Sequence, residues 1–247
     1  MADDLARAYA FMAKADMAGT RSERSEFGTA FYDDEVPLRL DSNFLLVERK
    51  ADAEGLADEA RRLSRRMIIF PDAAEGERLA PAFAERRWLV RRHLLMAQLR
   101  EPEREADLSS VEEVAEQELR AARERVVEGQ PWAEPEVMAQ LFAGKHRIAE
   151  RVRTRFFAIK VDGEVVSYTD LYQAGADAQI EDVGTLPEHR GRGHATAVVL
   201  AAVEAAREEG AGFVFLVADL EDWPKELYRR LGFDELGYFV KLIAPPA

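Results

Sequence analysis

The sequence predicts an α/β protein built on a mixed sheet, and three observations carry that prediction. In the second half, short apolar runs alternate with alanine-rich or amphipathic stretches, the order expected of strands laid between helices. A strong hairpin signal, Asp162-Gly163, joins two of those runs. The first half repeats the order of sheet, helix, strand, helix, strand, without the glycine-rich loop of the second.

Taken from the N-terminus, residues 27–47 alternate in polarity across a turn near Asp33-Asp34 and read as a hairpin. A helix follows at 53–65, then a strand at 67–70, a helix near Ala80 and a strand at 88–98. Residues 101–106, charged and holding Pro102, read as a linker. Residues 108–127 carry Val111, Val114, Leu119 and Val126 in partial helical spacing, and a second helix is expected at 134–152 after Gly129 and Pro131. Strands are predicted at 155–161, 164–173 and 176–185, a long helix at 193–209, a buried strand at 213–217 and a short helix at 224–231.

The most informative run is 187–195, PEHRGRGHA, wedged between the strand ending at Thr185 and the alanine-rich helix. Gly191 and Gly193 let the chain turn tightly and bring successive N–H groups toward an anion, to which the positive end of the helix adds its dipole. Arg190 and Arg192 can add charge-assisted contacts. A Walker loop needs Lys and then Ser or Thr after the last glycine, where His194 and Ala195 stand. A dinucleotide fingerprint needs Gly or Ala where Thr196 stands. The RGRG run is single and lies in an acidic chain, unlike the repeated basic tracts that bind nucleic acid.

The remaining pattern, Arg190, Gly193 and Ala195 after a strand, resembles the acyl-CoA pyrophosphate loop of the GCN5-related N-acetyltransferases (GNATs). Downstream, Leu227-Tyr228 followed by Gly232-Phe233 is similar to that family's Leu-Tyr-x-x-x-Gly-Phe signature, so the resemblance covers residues 155–243. It implies the GNAT fold and direct acetyl transfer from acetyl-CoA, the cosubstrate, to a primary amine of a small molecule or peptide. Pyrophosphate binding falls to Arg190, Gly191, Arg192, Gly193, His194 and Ala195, and binding of the pantetheine arm to the backbone of Val183 and Thr185. Tyr228 matches the tyrosine that protonates the departing sulfur. The resemblance also implies a carboxylate hereabouts that deprotonates the acceptor, frequently through water. Glu181 shares a strand face with Val183 and Thr185 and is the first choice, with Asp182 the alternative if a bulge at Gly184 flips the parity.

Placing Phe83 to Trp88 over Tyr228 to Phe233 aligns two aromatics at equal spacing, with the hydroxyl absent from the first copy. The expectation is a tandem chain: residues 1–103 a degenerate GNAT-like half, residues 104–247 the acetyl-CoA-binding catalytic domain. A non-catalytic acyl-CoA sensor on the same scaffold is the alternative, against which Tyr228 argues. Trp223, before Pro224, reads as a hydrophobic staple, and Trp88 and Trp132 as core.

Composition sets limits. The absence of cysteine excludes disulfides, thiolate metal sites and a thiol nucleophile. The four histidines have no metal-ligand spacing, so no metal is expected. The N-terminal region has aspartates where a signal peptide needs positive charge, and no apolar run approaches a membrane span, so a soluble, cytoplasmic protein is expected. A net charge of −13 argues against nucleic-acid and anionic-membrane partners and favours a cationic acceptor.

Overall fold

The computed structural model describes residues 2–16, 21–130 and 132–245. In chain order its elements are α1 (Ala2–Asp16), β1 (Arg21–Arg24), β2 (Gly28–Tyr32), β3 (Phe44–Val47), α2 (Ala53–Arg62), β4 (Met67–Phe70), α3 (Ala73–Glu85) and β5 (Leu89–Gln98). Then come β6 (Val111–Glu113), α4 (Arg120–Val126), α5 (Pro135–Ala149), β7 (Arg153–Val161), β8 (Glu164–Ala174), β9 (Asp177–Thr185), α6 (His194–Glu208), β10 (Phe213–Asp219), α7 (Pro224–Arg230) and β11 (Phe233–Ile243).

The strands form one mixed sheet in the order β1-β2-β3-β4-β11-β5-β10-β9-β8-β7-β6. Two parallel pairs, β3 with β4 and β10 with β9, sit symmetrically about a central antiparallel pair, β11 with β5. The repeat suspected from Phe83 and Tyr228 is thus visible in topology, since α3 leads into β5 as α7 leads into β11. The sheet also departs from simple side-by-side halves. Both neighbours of β5 come from the second half of the chain, and both neighbours of β11 from the first.

Helices cover both faces. On one, α6 and α7 pack over Leu94, Leu171, Ile180, Val214 and Leu216, while α2 and α3 pack over Leu45, Ile68 and Phe70. On the other, Phe11 of α1 and Ile148 of α5 join Leu95, Tyr172, Phe215 and Phe239. The period-2 pattern of β5 and β10 therefore feeds two cores at once. At Asp162 and Gly163 both φ angles are positive, 53° and 84°, as a two-residue I′ hairpin requires.

The helix predicted over 108–127 is only half realised. Val111–Glu113 instead adds a strand to the outer edge of β7, because that edge offers backbone groups that a strand satisfies. Helical structure starts at Glu116 and continues into α4. The first hairpin is also longer than its sequence suggests: β2 and β3 are joined by residues 33–43, which Asn43 holds by accepting from the Asp33 N–H at 2.9 Å and donating to the Val36 carbonyl at 2.9 Å. Trp132 is 49% exposed and Trp223 62% exposed, so neither is core and Trp223 is not a staple. Trp88 packs edge-on against Phe83, at 4.9 Å.

Candidate active site

The glycine loop lies where β9 meets α6. Gly191 and Gly193 have φ of 74° and 84°, the left-handed region that glycine enters without penalty, and a Cβ at either would meet nothing within 4 Å. Gly193 is the N-cap of α6 and has no side chain to accept from the helix's first N–H groups. With no acid in its first turn, a 15-residue helix ends in an exposed, uncapped positive pole. Arg190 donates back to the Thr185 carbonyl at 3.2 Å and Arg192 to the Glu188 carbonyl at 3.2 Å, bonds that shape the turn without neutralising either guanidinium. The His189 and His194 rings lie 6.3 Å apart. Burial, helped by His189 and Arg192, holds the His194 imidazole below its ordinary range. No cluster of three potential metal ligands occurs among the described residues.

The corresponding turn of the first half is closed by carboxylates. Asp52 caps α2, accepting from the Gly55 N–H at 2.8 Å, and Glu75 accepts from the Ala51 N–H at 3.0 Å. The donors left open at α6 are occupied here by the chain's own anions.

Beside the loop, β9 and β10 part. Their parallel register runs from Asp177 opposite Phe213 to Ile180 opposite Leu216 and stops, although the strands continue to Thr185 and Asp219. Val183 and Thr185 lie on this parted stretch. The Thr185 hydroxyl is bonded to Ser167 at 2.8 Å. Tyr228 of α7 is buried, at 7% exposure, in the cluster that includes Leu216, Ala218 and Val183, with Phe233 edge-on at 6.2 Å. Burial, reinforced by the charges of Glu181 and Asp222, pushes its hydroxyl well above the usual tyrosine range, so it stays protonated through neutral pH.

Glu181 faces this parting too, held by a 2.7 Å bond from the Gln179 amide. Asp182 is different. It is the bulge, in the left-handed region at φ 52°, and the register skips there from Asp170 opposite Glu181 to Tyr168 opposite Gly184. Gly184 has another role: a Cβ there would lie 2.3 Å from the Tyr168 ring. Asp182 accepts from Arg123 at 2.9 Å and pairs with Lys145 at 2.9 Å. Burial raises its carboxyl, but Lys145 and then Arg123 outweigh this and hold it below the ordinary carboxylate range. The carboxylate thereby ties α4 and α5 to the bulge of β9.

The two cations are shared with Asp170, which is fully buried on β8 and accepts from Arg123 at 2.5 Å, Lys145 at 2.7 Å and the Tyr172 hydroxyl at 3.0 Å. Sequence reasoning missed this network, whose members lie up to 47 residues from Asp170. It rivets α4 and α5 to β8 and to the bulge of β9, and so fixes the parted stretch that carries Glu181, Val183 and Thr185.

Comparison with known proteins agrees with this architecture. Residues 113–233 match the model of the acetyltransferase (GNAT) family, and the chain belongs to that family. Over 93 residues, 37% of this chain, it is 27% identical to a protein of Bacillus subtilis (strain 168) named as a candidate ribosomal protein bS18-alanine N-acetyltransferase. Over 81 residues, 32% of this chain, it is 32% identical to the streptothricin acetyltransferase of Streptomyces lavendulae. The chain spans 62% and 43% of the lengths of these two relatives. Among solved structures, a GCN5-related N-acetyltransferase from Kribbella flavida superposes with a TM-score of 0.62 at 16% identity, covering 100% of this chain and 96% of its own. A tandem GNAT protein from the clavulanic acid biosynthesis pathway superposes at 0.53 and 16% identity, covering 99% and 96%. The fold is therefore the GNAT fold, and it extends over both halves. No helix among the described residues is long and apolar enough to cross a membrane.

Proposed function

We propose that the protein is an N-acetyltransferase that moves the acetyl group of acetyl-CoA to a primary amine within a ternary complex, without a covalent enzyme intermediate. The observation that carries this reading is the junction of an open, uncapped helix pole at Gly193 with a parted strand pair whose opening is flanked by Tyr228 and Glu181. The loop residues Arg190 to Ala195 hold the pyrophosphate, chiefly through main-chain N–H groups and the α6 dipole. The backbone of Val183 and Thr185, unpaired toward β10, takes the pantetheine arm. The acceptor nitrogen attacks the thioester carbon, the carbon–sulfur bond breaks, Glu181 receives the ammonium proton, directly or through water, and Tyr228 gives its proton to the leaving thiolate. Most of the acceleration comes from holding the reactants together and from preorganised donors.

Residues 1–103 form, in this reading, a degenerate half that no longer takes the cosubstrate. The carboxylates of Asp52 and Glu75 support this, since they fill the donors a pyrophosphate would need, and so does Phe83 where the second half has Tyr228. The acceptor is a small-molecule or peptide amine, met in the cytoplasm. The names of the two curated relatives specify an alanine of ribosomal protein bS18 and streptothricin.

Calorimetric titration with acetyl-CoA and CoA, comparing the native chain with Gly193→Asp, tests the assignment. Binding to the native chain that the variant loses, followed by release of free thiol when amines are supplied, is the expected result. A native chain that binds neither nucleotide would overturn it.

A further inference from the structure

The segment between the halves is more than a connector. Its start is fastened to the turn after α7: Leu99 and Arg100 donate to the Gly232 carbonyl at 3.0 and 3.1 Å, Glu103 donates to the Arg230 carbonyl at 2.8 Å, and the Arg100 guanidinium grips Asp234 at 2.8 Å. From there it crosses the open side of α6. Between strap, α6 and α7 lies a cavity of about 630 Å³, walled on one side by Gly193 and His194 of the glycine loop and on another by Leu227 and Leu231 of α7.

Three arginines from three separate segments line it: Arg104 of the strap, Arg192 of the loop and Arg230 of α7. Glu103, Glu105 and Asp107 line it too, yet no ion pair joins any of the three arginines to a carboxylate among the described residues. Arginines elsewhere in the chain, among them Arg92, Arg123 and Arg155, hold a carboxylate within 4 Å, and a net charge of −13 supplies carboxylates in excess. Three guanidiniums left without an anion around one cavity, next to an uncapped helix pole, are arranged for an anion from outside. The interleaved carboxylates Glu103, Glu105 and Asp107 keep the wall close to neutral, so it does not attract polyanions at large.

Resting on the acetyl-CoA reading above, we propose that Arg104 and Arg230, assisted by Arg192, form a phosphomonoester subsite that binds the 3′-phosphate of the CoA ribose, so that the strap between the halves completes the cosubstrate site. The pyrophosphate belongs at the loop. The ribose carries the additional phosphate away from it, into the cavity that the strap closes. Specificity for CoA over its 3′-dephospho form then comes from a residue that lies outside the family-matched stretch, since Arg104 precedes residue 113.

The test is calorimetric titration of the full chain with CoA and with 3′-dephospho-CoA, for the native protein, Arg104→Ala, Arg230→Ala and Arg104→Lys, each checked for an unchanged melting curve. The native chain is expected to prefer CoA by about 10- to 100-fold, the range of one or two charge-assisted contacts. Each alanine variant should lose most of that preference while its affinity for 3′-dephospho-CoA stays put, and Arg104→Lys should keep part of it. Equal binding of the two nucleotides by the native chain, or an undiminished ratio in both alanine variants, overturns the subsite and leaves the acetyltransferase reading intact. Failure of both nucleotides to bind overturns both.

Discussion

Tyr228 is a buried hydroxyl whose raised pKa keeps it protonated through neutral pH. Replacing it by phenylalanine, the residue its counterpart Phe83 already is, preserves the ring and its contact with Phe233. Turnover is expected to fall about 10²- to 10⁴-fold with CoA affinity unchanged, read by thiol release and by titration. Lys145 is a different kind of residue, an ammonium that burial alone would discharge but that Asp170 and then Asp182 hold well above its ordinary pKa. Lys145→Met leaves Asp170 buried beside a single cation, so a loss of about 3–5 kcal/mol is expected in denaturant unfolding. His93, stacked on Phe239 at 5.2 Å, has its pKa lowered to about 4, chiefly by burial and then by Lys241, against the pull of Asp41 and Asp219. An unfolded chain takes up this proton near pH 6.5 and the folded one refuses it until about pH 4. His93 therefore contributes stability that is present above pH 6.5 and is lost as pH falls through that window. Thermal melts of native chain and His93→Phe should diverge there, the native falling faster; parallel melts would exclude this role.

Among the elements, α6 and α2 are the same device with opposite fillings. Gly193→Asp sets a carboxylate at the start of α6, though from the left-handed region and not from the extended conformation in which Asp52 caps α2, and nucleotide binding is expected to vanish while the fold survives. The reverse change, Asp52→Ala, should cost about 1 kcal/mol of stability and, on the proposal that the first half takes no cosubstrate, leave binding untouched. This contrast also marks what the residues disclose. The glycine loop, the hairpin at Asp162-Gly163, and the strands at 67–70 and after residue 212 are encoded by signals a few residues long, and all stand where the sequence puts them. Helix α1 and the all-exposed edge strand β1 carry weaker local patterns, and β6 forms because β7 needs an edge partner. The bulge at Asp182 is legible only in part: Gly184 hints at it, but what sets it is a pair of cations from α4 and α5. Alternation along β9 holds only as far as Glu181: the bulge at Asp182 puts Val183, packed with Ile180, and Thr185, opposite Ser167, on the other face, so Glu181 does not share a face with them as strict alternation implied.

At the scale of the molecule the exchange of β5 and β11 dominates. A fragment 104–247 retains the whole family-matched stretch, yet lacks the strand that stands between β10 and β11. Expressed alone, it is expected to be insoluble or to lack a cooperative melt and CoA binding, whereas mixing it with a 1–103 fragment restores both. A soluble 104–247 that binds CoA on its own would contradict this. The same exchange places a constraint on synthesis. Residues Leu94 to Ala97, all buried in the finished sheet, leave the ribosome with neither neighbouring strand yet made. Elongation at roughly 5–20 residues per second leaves that apolar edge unsatisfied for on the order of ten seconds. Chains stalled near residue 200 should accordingly be cut by protease within β5, and released full-length chains should resist. Among the described strands β11 is translated last and closes both halves at once, so β5 stays exposed until it is made.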